Sequence, residues 1–142
     1  MSTSNATHQR VPIFPSHLRL EGDGTRGVLL GTRCRECGVC TLGRDALFCV
    51  NCTSPDLEPV ELSGRGSVYA YTVVHAPPPR WEGRVPYILA EVETPEGVRI
   101  ISEVVDCDPR EVFIGMPVRL VLRPAGKDEE GREIMVYKWA KG

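Results

Sequence analysis

No stretch of this 142-residue chain approaches the ~20 consecutive apolar residues that a membrane-spanning helix needs. The first ten residues are small and polar, with neither an apolar secretory core nor an arginine-rich amphipathic pattern, so they read as a loose terminus. A membrane anchor and an oxidising destination are therefore not expected, and the chain reads as cytoplasmic. Excess charge is lacking too: 17 Lys and Arg stand against 19 Asp and Glu, a formal net charge of −2. Four cysteine thiolates around one zinc ion would take that to about −4. Generic nucleic-acid binding, which is driven by positive charge, is thereby disfavoured. Lysine is scarce beside arginine, and the planar guanidinium suits phosphates or carboxylates at an interface.

A catalytic constellation is also missing. His75 closes a strand pattern with no Ser, Cys or carboxylate at a diagnostic spacing, and reads as a hydrogen-bonded histidine at a strand end. His8 and His17 lie in the weakly patterned N-terminal part and receive no role. Cys107 sits between Asp106 and Asp108, whose charges disfavour a thiolate, so it reads as a structural thiol.

What the chain does have is two Cys-x-x-Cys pairs, Cys34 with Cys37 and Cys49 with Cys52, separated by a short segment. Each pair can fold into a tight turn that presents two thiolates on one side, and four sulfurs in a tetrahedron suit zinc. With all four positions filled by protein the metal would be structural. Gly38 supports the turn, because a residue without Cβ tolerates the positive φ such a turn needs; Thr53, at the matching place, fits less well. A disulfide framework would need an oxidising compartment. The rival metal reading is an iron–sulfur run starting Cys34-x-x-Cys37-x-x-Cys40, but the fourth cysteine and the proline of that pattern are absent after Cys40. Cys40 itself reads as a small, partly buried residue beside the site.

The periodicity around this motif is that of strands. Residues 11–15 form a proline-punctuated apolar arm, and residues 16–20 read as one helical turn. Residues 28–33 read as a strand leading into the first cysteine pair and 46–48 as a strand returning to the second. Beyond a linker at 53–59, residues 66–75, 87–93, 98–105, 118–122 and 133–139 are rich in β-branched and aromatic residues. Asp108-Pro109 reads as the start of a single helical turn over 110–113, closed by Gly115. The expected fold is mainly β: an N-terminal arm over 1–27, a rubredoxin-like zinc ribbon over 28–59, and a five-stranded OB-fold barrel over 60–142.

Two surfaces of that barrel merit attention. The connection between its first two strands, residues 76–86, is stiffened by proline and contains Arg80, Trp81 and Arg84. Tryptophan can anchor a partner and arginine can hold phosphate, so these three residues are the candidate contacts to a partner or to coenzyme A. Tyr69 and Tyr71, two apart in a strand, would share a face; they read as barrel packing, with a base-stacking platform for single-stranded nucleic acid as the alternative.

Taken together, Cys34-x-x-Cys37-Gly38, Cys49-x-x-Cys52, Leu62-Ser63-Gly64-Arg65-Gly66-Ser67-Val68-Tyr69, Thr72-Val73-Val74-His75, Val85-Pro86-Tyr87, Glu96-Gly97-Val98-Arg99, Cys107-Asp108-Pro109 and Ile114-Gly115-Met116-Pro117-Val118 resemble, in order and spacing, the acyl-CoA-associated zinc-ribbon/OB-fold proteins. The resemblance implies a small, non-catalytic accessory subunit that works in a hetero-oligomer with a thiolase-like or other acyl-CoA enzyme. The large partner would carry the catalytic residues, and a CoA ester would be a ligand of the complex.

Overall fold

The computed structural model describes residues 9–81 and 83–142; His8, with the rest of 1–8, lies outside them. Among the described residues ten strands form two sheets: β1 Arg10–Pro12, β2 Leu18–Glu21, β3 Arg26–Cys34, β4 Cys40–Leu42, β5 Leu57–Glu61, β6 Arg65–Val74, β7 Tyr87–Glu93, β8 Arg99–Val105, β9 Pro117–Lys127 and β10 Glu133–Lys141.

The C-terminal five strands close into a barrel. Strands β6, β7 and β8 form an antiparallel meander, β9 pairs with β6 and β10, and β10 returns parallel to β8 through Trp139↔Val104 and Ala140↔Val105. That is the OB-fold connectivity, and closure leaves no long open edge. Strand β7 shows how the sequence achieves it: Ile88, Ala90 and Val92 are buried in strict alternation with half-buried Tyr87, Leu89, Glu91 and Glu93. Trp139 is completely buried at the centre of the core, and an aromatic of that size contributes more burial than any other single side chain.

The ribbon is built on β3. Strands β2 and β4 occupy one edge of it in succession, and β5 the other, from Leu30↔Glu61 to Cys34↔Leu57. Strand β5 thus runs straight through residues 59 and 60, where the composition changes from ribbon to barrel. Leu18, Leu29 and Leu62 belong to the same apolar cluster as the barrel core, so the root of the ribbon and the barrel share one interior.

Three sequence expectations are corrected, and the arm takes a definite place. Residues 16–20 do not make a helical turn of their own: the chain turns at Phe14 to Leu18, whose N–H groups at His17 and Leu18 both donate to the Phe14 carbonyl, and then enters β2. The arm docks as β1, which lies parallel to β10 from Arg10↔Glu133 to Pro12↔Met135; an edge position tolerates the missing N–H of Pro12. Residues 46–48 form no strand, since β4 has already taken that edge of β3, and Leu47 and Phe48 are exposed at the ribbon tip. At 108–113 the cap chemistry is present without a helix. Asp108 Oδ1 accepts from the Arg110 N–H, the Asp108 N–H reaches Glu111 Oε1 and Glu111 N–H donates to the Asp108 carbonyl, but the chain leaves after this one turn. The Arg110 guanidinium, with its backbone N–H, holds the Asp108 carboxyl down at about 2.

Candidate functional site

The two cysteine turns are near copies of each other. In the first, the Gly38 N–H donates to the Cys34 carbonyl and the Cys34 N–H to the Val39 carbonyl; in the second, Thr53 N–H donates to Cys49 and Cys49 N–H to Ser54, all at 2.8–3.0 Å. The backbone also points at sulfur, from Cys37 N–H to Cys34 Sγ at 3.5 Å and from Asn51 N–H to Cys49 Sγ at 3.3 Å. Gly38 has φ 81° and Thr53 φ 65°, so the turn needs a left-handed residue in both places and Thr53 supplies it with a side chain.

These turns bring all four sulfurs within 4.8 Å of one another, with Cys34–Cys52 at 3.6 Å and Cys37–Cys49 at 3.5 Å. A tetrahedral site with metal–sulfur bonds of about 2.3 Å has edges of about 3.8 Å, so the four residues fit a single metal ion. The electrostatics agree. Hydrogen bonds from the Val39 backbone and from Asn51 bring the Cys37 thiol down to about 6. At Cys52 the Ser54 backbone favours the thiolate, but the sulfurs of Cys34, Cys37 and Cys49 together with burial push it up to about 12. The first thiolate forms readily and the last is resisted by its neighbours, which is the condition a bound cation relieves.

Cys40 stays outside this group. It is half-buried at the start of β4 with Sγ 4.0 Å from the Gly38 carbonyl, and burial raises its thiol. Cys107 is likewise half-buried against the core, its thiol raised by burial first and then by Glu111. His75 lies exposed just past the end of β6 and makes no hydrogen bond among the described residues, so it is not the strand-end partner expected.

The loop at 76–86 folds back on its own barrel. The Trp81 ring stacks on Tyr87 at 4.2 Å and 24°, its Nε1–H donates to the Arg84 carbonyl at 3.1 Å, and the Lys138 ammonium lies 5.6 Å from its ring centre. Gly83 passes so close that a Cβ there would stand 2.8 Å from the indole. Arg84 lines a groove of about 680 Å³ together with Tyr87, Cys107, Arg123 and Lys138, whereas Arg80 points its exposed chain from a left-handed residue at φ 67° and does not line it. Two of these cations are already paired, Lys138 with Glu103 and Arg123 with Asp106. Sequence reasoning missed Arg123, Lys138 and Tyr87 as companions of the loop; only the barrel register places them there.

Tyr69 and Tyr71 are 46% and 39% exposed and so are not barrel packing. They do not alternate simply, because a register shift between Val68 and Ala70 intervenes. The Arg99 guanidinium sits 3.6 Å over the Tyr69 ring.

With this geometry in hand, comparison with known proteins is specific. The model of the ChsH2 C-terminal OB-fold domain matches residues 59–123. A DUF35 domain-containing scaffold protein of Methanocaldococcus jannaschii is 40% identical over 116 residues, covering 80% of this chain and 82% of that protein. The benzoylsuccinyl-CoA thiolase subunit BbsA of Geobacter metallireducens is 33% identical over 134 residues, covering 89% of this chain and 84% of BbsA. Among solved structures, a chain of the Ltp2-ChsH2(DUF35) aldolase superposes with a TM-score of 0.57 at 37% identity, over 78% of this chain and 84% of that one. The chain belongs to the DUF35 family, with a ChsH2-type OB fold behind a four-cysteine ribbon.

Proposed function

We propose that this protein is a non-catalytic accessory subunit of a thiolase-type acyl-CoA enzyme complex in the cytoplasm. In this reading one structural zinc is held by Cys34, Cys37, Cys49 and Cys52, and the chain contributes to assembly and to the binding of a CoA ester by the complex. The observation that carries the reading is the alignment of ribbon and barrel together, across 89% of this chain, with 84% of a protein named as a thiolase subunit. The scaffold-protein relative and the aldolase-associated structure point the same way. A structural zinc supplies no chemistry to a reaction; it fixes the ribbon.

The nucleic-acid alternative has less support, since Arg99 occupies a face of Tyr69 and the shift in β6 breaks the tyrosine row. Co-expression with a thiolase encoded beside this chain tests the proposal. A stable complex whose turnover requires this chain is expected, and two proteins that elute separately with full activity would remove the basis for it.

A further inference from the structure

Arg65, the first residue of β6, stands directly opposite Arg119 of β9 in an antiparallel ladder. Both are exposed. Like charges placed directly across a sheet destabilise it, and among the described residues neither arginine is paired with a carboxylate within 4.0 Å. Arg123, at the next outward position but one along β9, is paired with Asp106 at 2.5 Å. The chain as a whole is acidic, so an uncompensated pair of this kind is a local exception.

The surroundings extend the positive surface. Arg119 and Arg123 line a groove of about 440 Å³ with Arg26 of the β2–β3 hairpin and with Ser63 and Gly64 of the connection into the barrel. Ribbon and barrel therefore both contribute walls. Glu21 also lines the groove, but the Arg19 guanidinium holds it at 3.1 Å. Arg65 borders a neighbouring groove of the barrel together with Gly66, Ser67 and Glu93, whose carboxylate Arg99 holds at 3.4 Å, so the arginines are spread over two adjoining grooves instead of converging on one point.

We propose that this seam is an interaction surface for a carboxylate-rich segment of a partner protein, with Arg65 and Arg119 as the residues that hold it. A line of guanidinium groups matches a row of carboxylates on a protein surface better than it matches a single small oxyanion. The repulsion stored in the free chain is then relieved in the complex. This inference rests on the reading of the chain as a subunit and names where that subunit would be gripped.

R119E creates an opposite-charge cross-strand pair with Arg65, which gives the proposal a signature of two opposed effects. The isolated R119E chain should melt higher than the wild type, by roughly 1–5 °C. In the complex with the co-expressed partner, R119E should weaken association at least tenfold, R65E should do the same, and the salt dependence of association should flatten. Higher melting with wild-type affinity for the partner would overturn the proposal and leave the subunit reading intact, whereas failure of the wild-type chain to form any complex would overturn both. Pyrophosphate provides the control for a phosphate site. If it raises the melting temperature of the isolated wild-type chain but not of R119E, while association is unaffected by either reversal, the surface binds phosphate and the proposal is wrong.

Discussion

Gly38 and Thr53 hold the same backbone conformation in the two cysteine turns, and only one of them does so without a side chain. A Cβ at Gly38 would meet nothing within 4 Å, so the cost of Gly38→Ala is purely conformational, on the order of 1–2 kcal/mol in the metal-bound ribbon. Thr53→Gly relieves that strain and raises the entropy of the unfolded chain by a comparable amount, so the net change should lie within about 1 kcal/mol of zero. Zinc-chelator competition should show weaker retention for Gly38→Ala and near wild-type retention for Thr53→Gly; equal retention by Gly38→Ala would mean that the turn does not need the left-handed residue. At this scale the convergence of the four cysteines was legible because thiolate spacing is set by local turn geometry. The fate of Tyr69 and Tyr71 was not, since one register shift between Val68 and Ala70 decides which way they face and leaves no local mark in the sequence.

Five barrel strands and the long strand of the ribbon could be read from alternation and β-branched residues, as β7 shows by matching its expected bounds, residues 87–93. The elements that could not be read are those whose state depends on a neighbour. Residues 46–48 have the composition of a strand but arrive after β4 has filled the edge of β3. Residues 108–113 carry helix-start signals but are one turn long, and a single turn has too few hydrogen bonds to offset the ordering of its residues. The loop at 76–86 is the element where function is open to test. Arg80→Ala combined with Arg84→Ala should leave zinc content and folding intact and weaken CoA-ester binding to the complex by roughly 1.5–3 kcal/mol per lost charged hydrogen bond. Trp81→Ala removes the ring that joins the loop to Tyr87 and the Arg84 carbonyl, and should loosen subunit association. Calorimetric titration of the variant complexes reads both effects, and unchanged affinities would leave the loop without a binding role.

For the molecule as a whole, the shared interior of ribbon root and barrel sets what metal removal can do. Elemental analysis should give about one zinc per chain, and Cys40→Ser should not change it. Chelation should release amide protection in the segment from Cys34 to Ser54, whose hydrogen bonds are those of the cysteine turns, while Leu18 and Leu29 keep the β2–β3 root on the barrel core. Hydrogen exchange before and after chelation tests this, and global loss of protection in β6 to β10 would show that the metal holds the entire fold. The ladder between β3 and β5 has one more consequence. It is the shaft between the tip that carries the cysteine turns and the barrel, five register pairs long, and it continues through the Leu62 N–H to the Leu29 carbonyl. The tip is thus tied to the barrel by two strands bonded to each other along their length, so a macromolecule that grasped only the tip would still steer the barrel's heading, as a handle steers a blade.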